Sequence, residues 1–292
     1  MLRWRLTLGC VFVAGLAGLC WLDAHSAPGA WLFPLWMVVC GLAADELWRL
    51  AYAAGHRPPR SLMIAAALAV GGAGGLQVYS LPSPLHLEPL GHSAAALALA
   101  AIVAFAYEIA RYKQPGRATA SLATVALAGV YVGLFGSFLL QLRLLGKGPL
   151  GLLALVSLIA VVKAGDIGAY TGGRLFGRHK MAPTLSPGKT WEGAASGLLF
   201  SVAAAWLVFY VLGPRLAPSF APPTATAVVA FGLVISAAGM VGDLAESLLK
   251  RDCGLKDSSA WMPGFGGVLD LLDSILFAAP IAYLCWAAGL VG

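Results

Sequence analysis

Residues 225–248 read ATAVVAFGLVISAAGMVGDLAESL, an apolar run broken only by the charges of Asp243 and Glu246. A helix that crosses a bilayer takes roughly 20 mostly apolar residues. A lone segment in hydrocarbon must satisfy its own backbone hydrogen bonds, so helix is the only plausible form. The next such run, 269–290, carries Asp270 and Asp273. An ionised group at that depth is costly unless it is partnered. These stretches therefore predict a membrane protein and point to where its chemistry sits.

Working outward, the rest of the chain agrees. Hydrophobic residues make up 60% and charged residues 11% of the 292 positions; an ordinary soluble domain is about 25% charged. Nine candidate spans emerge, at about 6–22, 30–47, 62–79, 94–110, 119–142, 150–172, 192–212, 225–248 and 269–290. We read the chain as an all-α integral membrane protein with one polytopic domain over 1–292. The N-terminal spans occupy 1–149, and the chemistry falls in 150–292. No internal repeat or separate soluble domain is visible.

Of the nineteen Lys and Arg, fifteen fall in segments on the N-terminal side of the membrane. Three (Arg143, Lys147, Arg215) fall on the other, and Lys163 lies within a span. The positive-inside rule then predicts a cytoplasmic N-terminus, cytoplasmic loops at 173–190 and 250–267, and a C-terminus outside. The net charge of +6 is scattered between apolar runs, which argues against nucleic acid. The start, MLRWRLTLGC, also resembles a signal peptide, but correctly alternating spans follow at once and favour a retained span. Cys10, Cys20, Cys40, Cys253 and Cys285 form no C-x-x-C pair, so a disulfide framework or zinc site is not expected.

The acidic residues sort into two groups. Asp23, Asp45, Glu46, Glu88 and Glu108 stand near span ends and read as solvated boundary residues. Asp166, Asp243, Glu246, Asp270 and Asp273 fall inside, or at the cytoplasmic ends of, the later spans. Asp243, Glu246 and Lys250 are spaced i, i+3 and i+7 on one helix face, and Asp270 and Asp273 share another. Carboxylates without His or Cys describe a site for a hard cation such as Mg²⁺. The alternative is an interhelical ion-pair cluster using Lys250 and Arg251.

The preceding loop, GGRLFGRHKMAPTLSPGKTWEG (172–193), is basic. Ser186, Pro187, Gly188, Lys189 and Thr190 lead into the next span, where free N–H groups at a helix start suit phosphate. It is no Walker A motif, because Pro183 stands where the first glycine belongs. Gly165, Gly168, Gly172 and Gly173 read as helix-packing positions. Asp166 among them either bonds a base or ribose or pairs with Lys163.

At these residues the chain resembles the phosphatidate cytidylyltransferases. The signature is matched by Ser247, Lys250-Arg251, Lys256-Asp257, Pro263-Gly264, Gly266-Gly267, Asp270 and Asp273, and SPGKTWEG is similar to a second family stretch. Two positions depart: Phe265 replaces the usual His, and Leu271 the usual Arg. The resemblance implies cytidylyl transfer from CTP to phosphatidic acid at the cell membrane, giving CDP-diacylglycerol and pyrophosphate. It implies Asp243, Glu246, Asp270 and Asp273 as ligands of Mg²⁺, with room for a second cation. Lys250 and Arg251, with Asp270 and Asp273, are the implied catalytic residues. The nucleotide would be held by Asp166, Ser186 to Thr190, Ser247, Lys256 and Asp257. Partners are CTP and membrane lipid, with a homodimer left open. The alternatives are a CTP-dependent polyprenol kinase, an archaeal-type lipid cytidylyltransferase and a cation-coupled transporter.

Overall fold

The computed structural model describes residues 2–79, 88–146, 148–256, 258–259 and 266–292. Among them nine helices follow in order: α1 (Leu2–Ala24), α2 (Leu32–Ala53), α3 (Arg60–Gly72), α4 (Pro89–Arg111), α5 (Ala118–Leu144), α6 (Pro149–Phe176), α7 (Trp191–Leu216), α8 (Ala225–Asp252) and α9 (Val268–Ala287). Each overlays one predicted span, with ends shifted by a few residues. Six of them, α4 to α9, are long and apolar enough to cross a membrane. The apolar parts of α1 and α3 are shorter, and α2 carries Asp45, Glu46 and Arg49. By its helices this is a multi-pass membrane protein.

The fold is all-helical as expected, and one of its loops carries local strand pairing. Inside the 173–190 loop lie two short antiparallel strands, β1 (Lys180–Ala182) and β2 (Ser186–Thr190), with Lys180 opposite Thr190 and Ala182 opposite Ser186. The stretch is polar and holds Pro183 and Pro187, which oppose helix, so its backbone groups pair across a hairpin instead.

The chain divides into two compact units, residues 1–141 with 249–271 and residues 142–248 with 272–292. In the first, Cys40, Ala43, Ala44 and Leu47 bury one stripe of α2. Met63, Ala67 and Val70 do the same for α3. Gly133 of α5 lets backbones close in: a Cβ there would stand 2.9 Å from the Ala67 carbonyl oxygen. By contrast, α4 turns Leu99, Ile102, Val103, Phe105 and Ile109 outward, and only 17% of its apolar window is buried.

Three acidic residues expected at solvated boundaries are buried here. Asp23 accepts the backbone N–H groups of Gly29, Trp31 and Leu32, which start the turn into α2. Glu108 accepts the Ser121 hydroxyl at 2.7 Å. Glu46 is also buried, with partners described below. The physical reason is common to all three: a carboxylate near a span end can satisfy donors that lipid cannot.

The second unit is built on a glycine seam between α6 and α7. A Cβ on Gly168 would lie 2.6 Å from the Cβ of Phe200 and 2.9 Å from the Ser196 carbonyl oxygen. One on Gly193 would lie 2.7 Å from the Ala169 carbonyl oxygen. This is the packing role expected of such glycines. Further along α7, Phe209 meets Phe231 edge-on at 5.2 Å and Trp286 at 5.8 Å. The indole of Trp286 donates to the Ser157 hydroxyl. Gly168→Val should overpack the seam and cost about 1–3 kcal/mol. The measurement is thermal unfolding in detergent, with Gly15→Ala as control because no atom lies within 4 Å of its added Cβ.

Candidate active site

The second unit brings the basic loop and the span carboxylates together. β2 carries Lys189 to Asp243 of α8, Nζ to Oδ2 at 2.8 Å. The hairpin is pinned at its base. Glu192, in the first turn of α7, accepts the N–H groups of Arg178 and His179 and lies 2.6 Å from His179 Nδ1. Thr190 is the N-cap of α7, and its hydroxyl accepts from Gly193 N. Ser186 is half-buried, and Pro187 and Gly188 are exposed along the same strand.

Asp243 has a second neighbour because Gly242 lacks a side chain. A Cβ there would stand 2.5 Å from the Asp273 carbonyl oxygen, so α8 and α9 meet backbone to backbone at this level. Asp273 is buried, and its carboxyl interacts with the charges of Asp243, Lys163 and Asp166. Lys163 and Asp166, one turn apart on α6, pair at 3.0 Å. In the same unit Lys189 is thus paired with Asp243 and Lys163 with Asp166. Glu246 and Ser247, on the same helix as Asp243, are both buried.

The first unit holds the other half of the predicted residues. α8 ends in a Schellman-type turn: Gly254 takes φ +68° and Leu255 N donates to Lys250 O at 2.8 Å. Lys250, in the last helical turn, donates to Oδ1 of Asp270. The other oxygen, Oδ2, accepts from Gly267 N at 2.8 Å and Ser258 N at 3.2 Å, and the Ser258 hydroxyl also reaches it. The paired glycines have a steric cause. Gly266 takes φ +83°, and a Cβ on Gly267 would run into the Ser258 hydroxyl and the Glu46 carboxylate.

Arg251 and Lys256 are exposed, Arg251 leaning on the Leu255 carbonyl oxygen, and Leu271 is half-buried. Asp257, Pro263, Gly264 and Phe265 lie outside the described residues. Among the described residues no three His, Cys, Asp or Glu side chains are grouped as a metal site. Lys189 and Lys250 face Asp243 and Asp270 instead. Sequence reasoning missed Glu46, Ser258 and Glu192. Ser258 sits inside the signature loop and was open to notice; nothing in the run around Glu46 sets it apart.

Helices fit for a membrane, carrying paired carboxylates and lysines, define a multi-pass membrane protein. Residues 3–288 match the Cytidylyltransferase family, and the chain belongs to it. It is 42% identical over 157 residues to a phosphatidate cytidylyltransferase of Brucella suis, covering 54% of this chain and 55% of that protein. One from Pseudomonas aeruginosa is 43% identical over 149 residues, 51% and 53% of the two chains. One from Mycobacterium leprae is 40% identical over 161 residues, 55% and 48%. These matches span about half the length of the curated relatives.

Proposed function

We propose that this protein transfers the cytidylyl group of CTP to phosphatidic acid in the cell membrane. The observation that carries this reading is the family match along residues 3–288. The names of the similar proteins supply the lipid. In the reaction a phosphate oxygen of phosphatidic acid attacks the α-phosphorus of CTP. The bond from that phosphorus to the bridging oxygen breaks, and pyrophosphate leaves. The nucleophile is already anionic near neutral pH, so alignment and charge neutralisation are what the protein must provide.

Roles follow from the two clusters. Lys250, set by its contact with Asp270, would neutralise a phosphate. Arg251 and Lys256, exposed beyond it, would screen the nucleotide as it arrives from water. Lys189 and the hairpin from Ser186 would hold the triphosphate. Asp243 and Asp273 would hold Mg²⁺, with Asp166 near them. Their kind fits, since both are carboxylates and offer only oxygen, the donor a hard cation takes. A bound Mg²⁺ would supply charge neutralisation on the triphosphate.

The assay is purified protein with labelled CTP, phosphatidic acid and Mg²⁺, following lipid-soluble label and pyrophosphate. Release of CDP would identify a kinase instead, and ion uptake without pyrophosphate a transporter.

The orientation belongs to the same reading: the hairpin and the 250–267 loop are cytoplasmic and the C-terminus outside. In a cysteine-free background, Lys180→Cys should resist an impermeant thiol reagent in intact cells and react once they are opened. Arg215→Cys should react in both. The reverse pattern would invert the topology and separate the site from cytoplasmic CTP.

A further inference from the structure

We propose that Glu46 of α2 is a positioning residue for the reaction, fixing the turn into α9 and, through Ser258, the orientation of Asp270. The inference rests on the function proposed above, which uses Asp270 and Lys250.

The first N–H groups of a helix have no partner within it. They are usually capped by a Ser, Thr, Asp or Asn immediately before the helix. Before α9 that place is taken by Gly267, which has no side chain. Glu46, more than two hundred residues away, takes over the task. Its Oε1 accepts Val268 N at 3.0 Å and its Oε2 accepts Leu269 N at 2.8 Å. The side chain is buried at 4% exposure, and its charge meets the positive end of the helix dipole.

The same Oε2 lies 3.1 Å from the Ser258 hydroxyl, which also reaches Asp270 Oδ2. A hydroxyl has one proton, so Ser258 shares it between the two carboxylates. The Ser258 amide and Gly267 N then hold Oδ2 of Asp270, and Oδ1 is left facing Lys250. A chain of contacts runs from Glu46 through Ser258 to Asp270 and Lys250. An amide at position 46 would keep the size but turn an NH₂ donor toward a backbone N–H or the serine hydroxyl.

The test uses the full-length protein in lipid nanodiscs with CTP and phosphatidic acid. Glu46→Gln should lower kcat by at least about tenfold while KM for CTP moves less than about threefold, the pattern of lost alignment. Hydrogen exchange should quicken at 266–271 and stay unchanged at 63–70 in α3. Rates within twofold of wild type, or a loss of rate that only follows loss of folded protein without local exchange, would overturn the proposal. If Glu46→Gln does not fold, Ser258→Ala decides. It keeps both helix-start bonds yet should still lower kcat, and wild-type kcat there overturns the proposal. A wild-type protein without lipid-dependent CTP turnover is a separate outcome: it removes the function proposed above, and this inference with it.

Discussion

Asp270→Asn should lower lipid-dependent CTP turnover by at least about 100-fold, a barrier increase of about 2.7 kcal/mol. The carboxylate is nearly buried and is contacted by Lys250, the Ser258 amide and hydroxyl, and Gly267 N. Every one of those groups is a donor. An amide offers one oxygen where two were used, and its NH₂ must face a donor. The ammonium of Lys250 also loses its counter-charge and its placement. Turnover should be measured beside thermal unfolding, because an unsatisfied buried donor also costs roughly 1–3 kcal/mol of stability. A variant that keeps more than about a tenth of the wild-type rate, below roughly 1.4 kcal/mol, would make Asp270 only a tie for the loop.

The second large effect is expected at the other cluster. Asp243→Asn should cost at least about 100-fold in turnover if this carboxylate is a cation ligand. A purely structural reading is also concrete, because Asp243 clasps Lys189 and so holds the hairpin. The exchange Lys189→Asp with Asp243→Lys separates the two. It restores an ion pair of the same kind but moves the carboxylate onto the strand. Activity that stays absent while the fold survives supports the ligand role. Activity that returns to near wild type would show that the clasp alone matters.

How far the sequence carried can be seen at these same residues. The nine helices were legible because an apolar run of bilayer length has almost no other solution. The start of α7 at Trp191 followed from the hydroxyls and glycine before it. Spacing on one helix was readable too: Asp243, Glu246 and Lys250 are where i, i+3 and i+7 put them. Which helix each face would meet was not. Lys189 and Asp243 lie 54 positions apart, and nothing local announces their pairing. The strands β1 and β2 were hidden because two prolines and a polar stretch say only that helix fails. Glu46 was hidden most completely. Its donors are more than 210 positions away, so at its own place it looked like any acid at the edge of a span.

The outward face of α4 has a practical corollary. With 17% of its apolar window inside the protein, this helix relies on its surroundings for nearly all of its solvation. Acyl chains, in effect, are the missing wall of the first unit. Extraction into a short-chain detergent replaces that wall with a thinner and more mobile one. Damage on purification should therefore begin at α4, well before the ion pairs of Lys189 and Lys250 are disturbed. Added lipid should reverse it.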